Sequence, residues 1–211
     1  MSQKKRNLLL WGDEARTKTA ELYYVRAINH LKLLPGQRVF GECGDLTERC
    51  YVLELCRKET GLKKIYNVGY RVAEDLLDKT GQPYLPVFDL LKSENGGSGR
   101  EGRGRGRGVS NVERLSPLNR EFFNAINIVL IAWKVEEPGD LFKDCLAYLN
   151  SCPGLDTKEG FILKFNSAIS KDGKQRTLTQ MLEDVRKEYG DVRNFTFPLM
   201  HAILGDKSRM Q

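Results

Sequence analysis

The stretch Asp13-Glu14-Ala15-Arg16-Thr17-Lys18-Thr19-Ala20-Glu21-Leu22-Tyr23-Tyr24-Val25-Arg26-Ala27-Ile28-Asn29-His30-Leu31-Lys32-Leu33-Leu34 decides how the first half of this chain is read. Ala20, Tyr24, Ala27, Ile28, Leu31 and Leu34 recur at the three-and-four spacing of one helix face. Asp13 stands where an N-cap belongs, and Pro35-Gly36 closes the run. The reading is one helix from Glu14 to about Leu34.

Working outward, Gln37–Gly41 is a short extended candidate. Asp45 and Glu48 have capping-box spacing ahead of Leu46, Cys50, Leu53 and Cys56, which predicts a second helix stopped at Gly61. Val72, Ala73, Leu76 and Leu77 predict a short helix closed by Thr80-Gly81. Lys63–Arg71 between them reads as a loop or a short strand. The first lobe, residues 1–92, is therefore expected to be mainly helical.

The second lobe, residues 113–211, carries five amphipathic stripes. Ser116-Pro117 opens the first as an N-cap with proline at the first helical position. Pro138-Gly139, Pro153-Gly154, Asp172-Gly173 and Gly190 break the chain between stripes, and Asp156 and Glu159 again have capping-box spacing. Tight connections between short amphipathic helices imply a compact bundle. Its expected core is Phe122, Ile126, Leu130, Trp133, Leu146, Phe165, Leu182 and Leu199. The fold class expected is thus mainly α, two helical lobes on either side of a flexible linker at 93–112.

That linker reads Ser93-Glu94-Asn95-Gly96-Gly97-Ser98-Gly99-Arg100-Glu101-Gly102-Arg103-Gly104-Arg105-Gly106-Arg107-Gly108-Val109-Ser110-Asn111. It holds no apolar residue before Val109, so nothing repays the entropy of ordering it. Arg100, Arg103, Arg105 and Arg107 alternate with glycine. Planar cations on a flexible tether suit phosphate contact and stacking on bases. The tract resembles the arginine-glycine boxes of RNA-binding proteins, which implies contact with RNA. The competing reading is a solvated spacer.

Charge supports the same half of the chain. Residues 1–95 hold 16 basic and 13 acidic side chains, residues 96–117 hold 5 and 2, and residues 118–211 hold 13 of each. Attraction to a polyanion therefore belongs to the first lobe and tether. Lys63, Lys64, Tyr66, Tyr70 and Arg71 interleave cations with aromatics, the second candidate contact for a single strand. In an extended chain Lys64, Tyr66 and Tyr70 share a side.

Other chemistry finds little footing. Gly97–Gly102 matches G-x-G-x-x-G but has neither the strand before it nor the helix after it that a dinucleotide site needs. There is no Walker A sequence, so no cofactor is expected. The five cysteines lack C-x-x-C spacing, and only His30 and His201 could complete a metal set, so no metal is expected either. Arg26 and His30 would share a face one helical turn apart, which keeps a helical nuclease as the enzymatic alternative. The longest apolar run, Ile128–Trp133, is far short of the roughly 20 residues that cross a bilayer. The apolar stretch near the basic N-terminus is too short for a signal peptide. The chain is expected in the cytoplasm or nucleus and not secreted. The favoured reading is a non-enzymatic, single-stranded-RNA-binding protein that self-associates through its second lobe, in the manner of a nucleoprotein or coat protein. The rival is a protein–protein adaptor with a passive linker.

Overall fold

The structure is a computed structural model and describes residues 8–91, 115–190 and 192–211. Two compact units part between Val87 and Phe88.

The first unit combines two helices with two antiparallel sheets and is not the mainly helical lobe expected. Helix α1 covers Asp13–Leu22 and stops where the good helix formers give way to Tyr23-Tyr24-Val25. The chain then runs on as strand β1, Tyr23–Lys32. A small hairpin follows, β2 (Val39–Gly41) against β3 (Gly44–Leu46). Strands β4 (Arg49–Arg57) and β5 (Lys63–Val68) come next, then helix α2, Tyr70–Thr80. The main sheet is antiparallel in the order β1-β4-β5. The long helix expected to Leu34 and the helix expected after Asp45 are therefore overturned. Asp45 lies in β3, and the residues taken for a second helix form β4.

A β-bulge explains the first misreading. The β1–β4 register runs Ala27↔Leu53 and then Asn29↔Val52, leaving Ile28 as the extra residue. A bulge flips the alternation, so residues before and after it swap faces. Ala27, Ile28, Asn29 and His30 are consequently buried in succession. That run imitates a helical stripe. Strand β4 hides its period for a related reason, since Cys50–Leu55 are all buried.

One sheet face carries Val25, Ala27, Tyr51, Leu53, Leu55, Tyr66 and Val68, which form one core with Ala73, Leu76 and Leu77 of α2 and with Leu10. Each such side chain contributes about 1.5–3 kcal/mol of burial. Helices α1 and α2 are tied by an Arg16–Asp75 ion pair and by Lys79, whose Nζ lies 3.0 Å from Asp13 Oδ1. Gly81 ends α2 with a left-handed backbone, φ 65°, as its position predicts. Gly41 is required by the hairpin, because a Cβ there would lie 2.7 Å from the Gly44 carbonyl.

The second unit has the five helices that its stripes predict: α3 (Pro117–Ala132), α4 (Asp140–Ser151), α5 (Glu159–Ile169), α6 (Leu178–Tyr189) and α7 (Pro198–Leu204). Ser116 caps α3 by accepting from Asn119 N. Helix α3 packs against α4, α6 and α7 and is buried continuously from Ala125 to Ile131. Phe122, Phe165, Phe142 and Trp133 meet edge to face at 5.3–6.0 Å. Of the expected core, Phe122, Ile126, Leu130, Leu146, Phe165 and Leu182 are buried. Trp133 is only partly buried and Leu199 is exposed. The capping box expected at Asp156 and Glu159 is absent, since Lys158 precedes α5 without a side-chain cap. A capping box occurs instead at Thr177 and Gln180. Among the described residues no helix is long and apolar enough to cross a membrane.

Candidate nucleic-acid interface

The sequence-nominated residues fall into separate places. Arg100, Arg103, Arg105 and Arg107 lie outside the described residues. Lys63 opens β5 opposite Cys56, with its side chain 61% exposed. Lys64 and Tyr66 share the other face, but Tyr66 is buried in the core and its phenol is pushed up by that burial. Tyr70 leaves the strand altogether as the first residue of α2. Its ring lies under the guanidiniums of Arg49 and Arg71 at 5.6 and 5.8 Å, and Arg71 Nε donates to its hydroxyl at 3.2 Å. The five therefore make no single surface.

The strand register assembles another surface that the sequence reading missed. Tyr24, Cys56 and Lys63 form one cross-strand row, and Arg26, Glu54 and Ile65 form the next. Both rows lie on the sheet face opposite α2. Tyr24 is 65% exposed, the largest exposure among the described unit's big apolar side chains. The Lys58 ammonium sits 5.5 Å from its ring centroid. Lys58 is itself anchored, donating to Glu21 O at 2.8 Å and Ala20 O at 3.2 Å at the end of α1. Arg26 reaches Glu54 at 2.9 Å and Lys63 reaches it at 3.7 Å. One cation, Lys58, thus lies against the Tyr24 ring, and two more on the same face, Arg26 and Lys63, share the Glu54 carboxylate. The signal available in the sequence was Tyr23-Tyr24-Val25, strong β formers that follow good helix formers.

Arg26 and His30 do not form a site. Arg26 pairs with Glu54 and His30 with Tyr51 across β4, and those two partners are on opposite faces. The bulge at Ile28 turns the pair apart. His30 is buried, its Nδ1 is 3.0 Å from Leu85 O, and burial pulls its pKa down to about 4. The cysteines are free thiols. Burial pushes Cys43 up and Cys145 to about 12, which leaves both poor nucleophiles. Among the described residues no three metal-ligating side chains come together.

Residues 10–209 match the family described as Uncharacterised conserved protein UCP028583. The chain belongs to that family. The match runs through both units. No curated protein and no solved structure matches the chain.

Proposed function

We propose that the protein binds single-stranded RNA, with the face of β1-β4-β5 around Tyr24 as a stacking platform and the arginine-glycine tract as a phosphate clamp. The observation that carries this reading is the exposed Tyr24 ring, with Lys58 against it, Lys63 in the same cross-strand row and Arg26 two residues along β1 on the same face. A base stacks on an aromatic face whatever its identity, and neighbouring cations hold the adjoining phosphates. Arg100, Arg103, Arg105 and Arg107 would add planar cations that both pair with phosphate and stack. Between Leu8 and Val87 there are 12 basic and 11 acidic side chains, so net charge alone would not draw RNA to this unit. The local arrangement around Tyr24 and the tract must do it.

Fluorescence anisotropy with a labelled oligoribonucleotide tests the proposal. Affinity should fall steeply with salt as condensed counterions are released. It should fall when the four tract arginines become serine, and again when Tyr24 becomes alanine. No binding at low salt rejects RNA binding and leaves the adaptor reading, and equal affinity for all variants rejects the Tyr24 face and the tract as the site.

A further inference from the structure

The second unit carries equal numbers of acidic and basic side chains after residue 117, yet its basic residues are not spread evenly. Two adjoining clefts, of about 420 and 510 Å³, open between the end of α3, the loop 171–176 and α6. They share Lys134, Lys174 and Arg176. Lys187 borders the first and Lys171 the second.

The loop that presents these cations is rigidly built. Asp172 is buried, and its carboxylate accepts from Trp133 Nε1 at 2.7 Å, Lys174 N at 3.1 Å and Arg176 N at 3.0 Å. It also receives the Arg176 guanidinium at 2.9 and 3.1 Å. Arg176 turns its remaining arm to Asp184 at 3.1 Å. The loop backbone around Lys174 is thereby fixed. Lys171 and Lys174 form no ion pair among the described residues.

The backbone gives an independent sign. Lys134 and Gln175 are the non-glycine residues with left-handed backbone among the described residues, φ 53° and 54°; Lys134 lines this cleft, and Gln175 stands in sequence between two residues that do, Lys174 and Arg176. Lys134 occupies the position just past α3 where glycine costs least: its N–H bonds Ile131 O and the next N–H bonds Leu130 O. A lysine there pays a left-handed backbone cost and places an ammonium over the cleft. That ammonium meets Glu188 at 2.9 Å. Glu188's carboxyl is held below its usual range by Lys134 first, with Lys174 adding to it.

We propose that this cleft is a phosphate-binding site, with Lys134, Lys171 and Lys174 as its donors and Glu188 as the carboxylate that occupies Lys134 when no phosphate is bound. Five cations against Asp172, Asp184 and Glu188 leave the cleft net positive. Its size admits a pyrophosphate or a single nucleotide. The phosphate comes either from a small free ligand or from an RNA backbone.

Calorimetric titration of the full chain with inorganic pyrophosphate at low salt tests the site. Wild type should bind, and the double variant Lys171→Ala, Lys174→Ala should bind at least tenfold more weakly. Glu188→Gln should bind more tightly, because it removes the competing charge. Lys134→Gly relieves the left-handed backbone, so it should fold at least as well as wild type and still lose binding. Lys143→Ala, whose partner is Asp140, should change nothing. The same variants measured with an oligoribonucleotide identify the source: a parallel loss assigns the phosphate to RNA, and an unchanged RNA affinity assigns it to a free ligand. No pyrophosphate binding by wild type, or equal binding by wild type and the double variant, overturns the proposal.

Discussion

The imidazole of His30 stacks on the phenol of Tyr51, 3.7 Å between ring centroids and 19° from parallel, and both side chains meet the same carbonyl, Leu85 O. Because that carbonyl only accepts, His30 Nδ1 carries the proton and Nε2 is the bare acceptor. Nε2 is buried with no hydrogen-bond partner. Protonating it would place an unpaired charge in the core of the first unit, which costs far more than leaving a neutral ring there.

This geometry makes stability pH-dependent. His30 has a folded pKa of about 4 against 6.5 when unfolded. Above pH 6.5 the ring is neutral in both states and contributes no dependence. As pH falls from 6.5 towards 4, the unfolded chain binds the proton and the native state does not, so stability falls by about 3 kcal/mol in total. His30→Phe keeps a stacked ring and leaves Tyr51 to satisfy the carbonyl. Denaturant unfolding at pH 7 and pH 5 should show a marked loss for wild type and a smaller one for the variant. Identical pH dependence would remove His30 as the cause.

Tyr24 separates stacking from charge. Tyr24→Phe retains the ring and should bind RNA nearly as wild type. Tyr24→Ala should lose about 1–3 kcal/mol, or roughly 5- to 150-fold in affinity. Lys63→Ala should weaken binding less and should flatten the salt dependence by about one phosphate contact. If Tyr24→Phe and Tyr24→Ala weakened binding equally, the ring would not be a stacking surface.

The fold was legible where the hydrophobic period was clean. Helix α3 follows its Ser116-Pro117 start, and α2 ends at Gly81 as its residue type demands. Strand β1 was illegible because the bulge at Ile28 replaces alternation with four consecutive buried residues. Strand β4 was illegible because it is buried on both faces, and periodicity alone does not separate such a strand from a helix. The length of the run Cys50–Leu55 and its flanking glycines would have arbitrated. Lys63 was nominated from sequence, but Tyr24 was not, because the β-forming run Tyr23-Tyr24-Val25 was read as part of a helix. Its cation neighbours Lys58 and Lys63 come together only through β4 and β5 pairing, and a helical reading destroys that register.

Asp172 should be the most sensitive polar residue of the second unit. Asp172→Ala leaves the Trp133 and Arg176 donors without their acceptor, and breaking a buried pair in this way costs about 3–5 kcal/mol. Thermal melting should show a large drop for it and a small one for Asp140→Ala, whose partner Lys143 faces an exposed carboxylate. Similar melting points for the two variants would contradict the keystone role.

Glu121 substitutes for the missing N-cap of α7, its two carboxylate oxygens accepting from Leu199 N at 3.2 Å and Met200 N at 3.0 Å. Glu121→Ala should cost about 1 kcal/mol, as loss of a helix cap does. Hydrogen exchange should quicken at Leu199 and Met200. Unchanged exchange at those amides would show that the carboxylate is not their acceptor in solution.

RNA binding through this face requires a base of the single strand to lie on Tyr24. Ultraviolet cross-linking of the full chain to an oligoribonucleotide, followed by mass spectrometric mapping of the modified peptides, tests it most directly. A cross-link is expected in the peptide that contains Tyr24, and it should be lost on Tyr24→Ala. Cross-links confined to other segments, with none to β1, would contradict it.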